Sequence, residues 1–86
     1  MNKYLIINAD DFGLNEEQNE AIKELLENKL ITSTSLMAVA PEAMDATEFA
    51  KRVSFPVGVH ITLNSDEKDL YPSLTGAPSL GKDGLW

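Results

Sequence analysis

The sequence contains no cysteine among its 86 residues, and its only histidine is His60. Without cysteine there is no disulfide framework, thiolate metal site or cysteine nucleophile. Basic residues are also few, with seven Lys and Arg against 14 Asp and Glu, and the net charge of -7 argues against a nucleic-acid partner. No apolar run approaches the length of a membrane span or of a secretory signal. We therefore expect a cytoplasmic protein that binds neither nucleic acid nor a membrane.

A chain of this length, with 43% hydrophobic residues, forms at most one small domain and buries a modest fraction of its surface. We expect a single partial domain over residues 1–86, with an ordered core at 1–64 and a loop-rich tail at 65–86. The tail is predicted because periodicity disappears after Asn64 and turn-forming residues follow: Pro72, Gly76, Pro78, Gly81 and Gly84.

A continuous apolar run at residues 4–7 precedes two adjacent carboxylates, Asp10 and Asp11, and then Gly13. An apolar run without alternation is typical of a strand buried on both faces of a parallel sheet. Ligands of α/β sheets bind beyond the carboxyl ends of the strands, which is where this acidic pair lies. Two neighbouring like charges are costly without a cation or proton between them, so the pair indicates a metal site or a tuned acid and base. The alternative is a solvated turn in which one Asp caps the next helix.

The spacing of apolar residues predicts three strands that alternate with two helices: strands at 4–9, 33–39 and 57–63, and helices at 15–28 and 41–52. This order is typical of right-handed βαβ units, so we expect an α/β fold with a parallel βαβαβ sheet and both helices on one side of it. One amide, Asn19, interrupts the apolar stripe of the first helix. We interpret it as lying at the edge of the stripe, and the alternative is that it reaches back towards the acidic pair.

His60 lies on the polar face of the third predicted strand, where Gly58 leaves space beside it. Because parallel strands bring their carboxyl ends together, His60 would lie near Asp10 and Asp11. Imidazole and carboxylate ligands suit Zn²⁺ or another divalent metal, although such a site needs at least one more protein ligand. A lone histidine is otherwise more often a structural residue.

Four separated segments carry a resemblance to a known family: INADDFG at 7–13, TSTSLM at 32–37, GVHITL at 58–63, and PSL at 78–80 with DG at 83–84. Together they resemble the YdjC-like carbohydrate deacetylase family, in the family's order and over the whole chain. The resemblance implies a metal-dependent hydrolase that deacetylates N-acetylated sugars or oligosaccharides. It also implies a divalent cofactor, Mg²⁺ or Zn²⁺, held by Asp11 and His60, with Asp10 as the general base.

The same resemblance implies a (β/α) TIM-like barrel, of which this chain would be a truncated N-terminal part. A complete barrel of this kind needs roughly 250 residues. The family's second metal histidine lies beyond the third strand. This sequence has no histidine other than His60 to supply it. We therefore expect an incomplete site and an inactive short chain.

Two other interpretations remain. A non-catalytic fragment that self-associates as a homo-oligomer is favoured by the sheet edges that three strands leave open. A receiver-type signalling domain also places acidic residues after its first strand to hold Mg²⁺. It needs an aspartate at the end of the third strand, where this sequence has His60, Thr62 and Asn64 instead.

Overall fold

The computed structural model describes residues 1–62, and within them three strands alternate with two helices. The elements are β1 (Asn8–Phe12), α1 (Glu16–Glu27), β2 (Ser33–Leu36), α2 (Ala43–Val53) and β3 (Val57–Val59). Both strand pairings are parallel and the sheet order is β1-β2-β3. The predicted α/β class and parallel βαβαβ order are confirmed. Leu63, Asn64 and the predicted tail at 65–86 lie outside the described residues.

Helix α1 begins where the sequence supplies a cap. The Asn15 side chain accepts a 2.7 Å hydrogen bond from the backbone N–H of Gln18, which satisfies one of the free donors of the first turn. Glu16 and Glu17 add negative charge at the positive end of the helix dipole.

Both helices pack on the same face of the sheet, as the sequence predicted. Their buried apolar side chains share one cluster with residues of the sheet and its connections: Phe12, Ile22, Leu26, Ile31, Ala46 and Phe49. The rings of Phe12 and Phe49 meet edge to face, with centroids 6.1 Å apart. This cluster joins β1 to α1 and α2, so the end of the first strand is held by the core.

The first strand lies later in the chain than its prediction at residues 4–9. It begins at Asn8, and the side chains of Tyr4, Leu5 and Ile6 are at least three-quarters exposed. The reason is the neighbouring strand, because the first residue of β2, Ser33, is already the partner of Asn8. Most of the apolar run at residues 4–7 therefore lies outside the sheet that the structure describes. The prediction that this run is buried on both faces is wrong for the described part of the chain.

The bounds of the remaining elements also differ from the predicted ones. Helix α2 begins at Ala43 rather than 41. It buries Ala46 and Phe49, while the side chain of Met44 is exposed. Strand β2 ends at Leu36 rather than 39. Strand β3 ends at Val59, so that His60 follows it directly.

No helix among residues 1–62 is long and apolar enough to cross a membrane.

An ion pair links the two helices on the solvent side of the core. Lys23 Nζ lies 2.8 Å from Asp45 Oδ2, and the Lys23 side chain is largely buried while that of Asp45 is not. The hydrogen bond with Asp45 raises the pKa of Lys23 above its ordinary value. The hydrogen bond from Lys23 is the main cause that lowers the pKa of Asp45, and the hydrogen bond from Asn19 lowers it further. The charged forms of both groups therefore stabilise the fold.

We expect the stabilisation by this pair to disappear at both ends of the pH range. A lowered pKa of Asp45 means that stability is fully present above the ordinary value of 3.8 and is lost as the pH falls below it. A raised pKa of Lys23 means that stability is present below 10.5 and is lost as the pH rises above it. Urea unfolding of the parent and of Lys23→Met should differ by at most about 1 kcal/mol near neutral pH, because Asp45 is partly exposed. A stability difference that stays constant from acid to alkaline pH would contradict this role.

Candidate functional site

A β-bulge at the end of β1 shapes the candidate site. Asn8 and Ala9 pair with Ser33 and Thr34 of β2, but the register then shifts by one residue, so that Phe12 pairs with Leu36. Within the bulge Asp11 adopts a left-handed backbone conformation with φ 68°. Such a φ is uncommon for a residue other than glycine, and strain of this kind concentrates at functional sites.

The bulge interrupts the regular alternation of side chains at the two adjacent carboxylates. In a regular strand Asp10 and Asp11 would point to opposite faces. Both can serve one site only if the backbone turns at this pair, which the following glycine makes easier. The turn is completed by Gly13 with φ 104° and by a 3.1 Å hydrogen bond from the N–H of Leu14 to the carbonyl of Asp11.

Asp11 and His60 come together across the sheet. Asp11 Oδ1 lies 3.4 Å from His60 Nδ1, and both side chains are partly accessible to solvent. The backbone N–H of His60 donates to the carbonyl of Leu36 at 2.9 Å, which anchors the histidine beside the carboxyl end of β2. The predicted proximity of these two side chains is therefore present in the structure.

Asp10 is exposed to solvent and has a hydrogen-bonding partner of its own. Its Oδ1 accepts a 2.9 Å hydrogen bond from the side-chain amide of Asn8. The same amide donates to Ser35 Oγ at 2.9 Å, and Asn8 Oδ1 accepts from Ser33 Oγ at 2.7 Å. Among residues 1–62 no group of three or more His, Asp or Glu side chains is arranged to hold a metal ion. The structure thus joins Asp11 to His60 and gives Asp10 a separate set of polar partners.

Sequence reasoning missed the part played by Asn19. Its side chain is fully buried rather than at the edge of the apolar stripe, and its Oδ1 accepts a hydrogen bond of 2.6 Å from the N–H of Gly13. The structure is nearer to the alternative, in which this amide reaches back towards the acidic pair, although its partner is Gly13 rather than Asp10 or Asp11. The signal was present as a polar residue in an otherwise apolar stripe, but its partner is six residues away and was not identifiable from spacing.

Comparison with known proteins defines the class to which this fold and site belong. The family model described as "YdjC-like protein" matches residues 4–85, and the chain belongs to that family. A carbohydrate deacetylase from Thermoanaerobacter pseudethanolicus is 42% identical over 66 residues, which are 73% of this chain and 26% of the relative. A chitooligosaccharide deacetylase from Yersinia pestis is 40% identical over 88 residues, covering 100% of this chain and 34% of the relative.

A solved structure has the same fold as this chain over the matched region. The crystal structure of an Enterococcus faecalis protein named for cellobiose-phosphate cleavage superposes with a TM-score of 0.82 at 34% sequence identity. The match covers 100% of this chain and 34% of that one. This chain therefore spans about a quarter to a third of the length of the proteins that it resembles.

Proposed function

We propose that this chain supplies part of the active site of a metal-dependent carbohydrate deacetylase, which hydrolyses the acetamide of an N-acetylated sugar or oligosaccharide. The observation that carries the proposal is the 3.4 Å approach of Asp11 Oδ1 to His60 Nδ1. The names of the relatives, carbohydrate and chitooligosaccharide deacetylases, support the reaction and the substrate class. The βαβαβ order and the parallel pairing of the three strands support its placement as part of a (β/α) barrel.

The donor pair fits a divalent cation such as Zn²⁺ or Mg²⁺. Ligands bound to Zn²⁺ at about 2.0–2.1 Å with tetrahedral angles are about 3.4 Å apart, which is the separation of the two side-chain atoms here. Two protein ligands are fewer than the three of a catalytic zinc site, so water or a further ligand would complete the coordination. The left-handed φ of Asp11 is a second supporting observation, because the strained backbone turns this carboxylate towards His60.

Amide hydrolysis requires a water nucleophile, an electrophile at the carbonyl and a base. Asp11 and His60 would hold a divalent cation, which would supply Lewis-acid polarisation of the carbonyl and lower the pKa of a water molecule. Asp10 would accept a proton as water adds to the carbonyl carbon. Cleavage of the C–N bond would yield acetate, and the leaving nitrogen would become the free amine by taking a proton from an acid outside residues 1–62. Asn8 orients the Asp10 carboxylate through its 2.9 Å hydrogen bond. The assignment of base and ligand within the acidic pair rests on the bulge, which turns only Asp11 towards His60.

The proposal is tested in a chimaera in which this chain replaces the matching third of the Yersinia pestis enzyme. Acetate release from a short chitooligosaccharide should occur in the presence of a divalent metal. Asp10→Asn in the chimaera should lower kcat by about 10²–10⁴-fold, the range of general acid–base catalysis. Glu24→Gln, which removes a carboxylate from the exposed face of α1, is the charge-matched control. An Asp10→Asn chimaera as active as its parent would exclude Asp10 as the base.

A second proposal, assembly of the chain with copies of itself, is favoured by one observation. Large apolar side chains are exposed at both edges of the described sheet: Tyr4, Leu5 and Ile6 beside β1, and Val59 and Ile61 at β3. We expect sedimentation velocity to show concentration-dependent association of the parent chain. Ile61→Lys, which places a charge at the β3 edge, should reduce it. A monomer over the whole concentration range would contradict assembly.

A further inference from the structure

The buried amide of Asn19 is the one polar side chain of α1 that faces the candidate site, and nothing in the proposed reaction uses it. The residue has 0% exposure, and its side chain makes three hydrogen bonds, all to residues outside α1. Oδ1 accepts from the N–H of Gly13, while Nδ2 donates to the carbonyl of Glu42 at 3.0 Å and to Asp45 Oδ2 at 2.9 Å. Its side chain therefore connects the turn after β1 to the start of α2.

The chemistry of this position requires a group that both donates and accepts. The buried N–H of Gly13 donates to Asn19 Oδ1, and a buried donor without an acceptor costs about 1–3 kcal/mol. The Glu42 carbonyl at the start of α2 accepts a 3.2 Å hydrogen bond from the N–H of Ala46 and takes the Asn19 amide as a second donor. An amide satisfies both through one rigid plane, whereas an apolar residue of the same size satisfies neither.

The Gly13 peptide is held from both sides. Its N–H donates to Asn19, and its carbonyl accepts a 2.9 Å hydrogen bond from the N–H of Glu42. Asp45 holds the Asn19 amide, and Lys23 in turn holds Asp45 through an ion pair. These contacts secure the residue that lies two positions after Asp11, where the backbone is still left-handed.

We propose that Asn19 is a positioning residue, which holds the turn from Asp11 to Gly13 in its left-handed form so that the Asp11 carboxylate faces His60. This role fixes the backbone conformation of Asp11 in the metal-free chain as well. The expected effect on metal affinity rests on the proposed function. Asn19 acts through Asp11 and touches neither the substrate nor the metal.

Three variants of the chain separate positioning from simple packing. Asn19→Leu keeps the branching and the number of side-chain heavy atoms and removes both hydrogen-bonding functions. Asn19→Asp combined with Asp45→Asn restores an acceptor for the Gly13 N–H at unchanged net charge. Leu26→Ala, two turns further along α1, removes apolar packing from the same core and serves as the control for lost stability.

The first readout is the backbone conformation measured by NMR on the metal-free chain. Carbon chemical shifts of Asp11 report its left-handed φ, and hydrogen exchange of the Gly13 amide reports the bond to Asn19. Asn19→Leu should lose the left-handed signature, and its Gly13 amide should exchange at least about tenfold faster, relative to global unfolding, than that of Leu26→Ala. The double variant should recover Gly13 protection. An Asn19→Leu chain that keeps the parent values for both residues would overturn the proposal.

The second readout is the affinity for Zn²⁺ alone, measured by calorimetry. Asn19→Leu should weaken binding by about 10–100-fold, the usual effect of removing an outer partner of a metal ligand, while the double variant should regain affinity. Equal losses in Asn19→Leu and Leu26→Ala would overturn positioning.

If Asn19→Leu does not fold, the parent chain provides the test. Linkage requires that Zn²⁺ slows exchange of the Gly13 amide, and an unchanged exchange rate overturns the proposal. A parent that binds no Zn²⁺ would contradict the proposed metal site, whereas the metal-free conformation of Asp11 still decides the role of Asn19.

Discussion

Asp11→Asn and His60→Ala should each lower the affinity of this chain for Zn²⁺ by at least about 10–100-fold, since removal of a ligand costs no less than removal of its outer partner. The two side-chain atoms lie 3.4 Å apart and provide an anionic oxygen and an imidazole nitrogen. With only two protein ligands the parent affinity should itself be modest, because water must complete the coordination. Calorimetric titration in a buffer that does not chelate metal measures all three proteins directly.

A charge-matched control separates coordination from general electrostatics. Glu24→Gln removes one carboxylate from the exposed face of α1 and should bind Zn²⁺ as the parent does. Far-ultraviolet circular dichroism must show that Asp11→Asn and His60→Ala remain folded. If both variants bind Zn²⁺ with the parent affinity, Asp11 and His60 are not ligands and their approach is structural.

Gly13→Ala should be strongly destabilising, by about 1–3 kcal/mol or more, because two separate costs combine at this position. The backbone is left-handed, with φ 104°, which side chains with a Cβ rarely adopt. A Cβ would also lie 3.1 Å from Ala43 Cα and 3.2 Å from the carbonyl oxygen of Met37. Both contacts are with backbone atoms, so neither neighbour can move aside by changing a rotamer. Urea unfolding followed by circular dichroism gives the free energy of unfolding.

Gly58→Ala provides the matched control on β3. There a Cβ would meet Ser35 Oγ at 3.9 Å and the carbonyl oxygen of Thr34 at 4.0 Å, which are ordinary van der Waals distances. We expect this variant to lose much less stability than Gly13→Ala. Similar unfolding midpoints for the two variants would show that the turn after β1 tolerates a side chain, against the geometry described here.

Local pattern was sufficient to predict the element order and the parallel sheet. The βαβαβ alternation follows from periodicities that each element carries in its own residues, and short connections leave only parallel pairing. The Asn15 cap is local in the same sense. The bounds were less accurate because a strand extends only as far as its neighbour pairs with it, so Asn8 and Leu36 mark limits that neither segment specifies alone.

The sequence by itself determined which residues are the candidates for the chemistry proposed here. Asp10, Asp11 and His60 are recognisable because carboxylates after an apolar run and a single histidine on a strand are unusual in their own neighbourhoods, and because those segments resemble the YdjC-like family. Only the tertiary structure decided how they are arranged. The bulge at Asp11 depends on its pairing with β2, and the 3.4 Å approach of Asp11 to His60 depends on a residue far along the chain. The buried amide of Asn19 likewise depends on partners outside its own helix. Such contacts leave no periodic signal, because they are selected by packing between elements rather than by the conformational preference of any one segment.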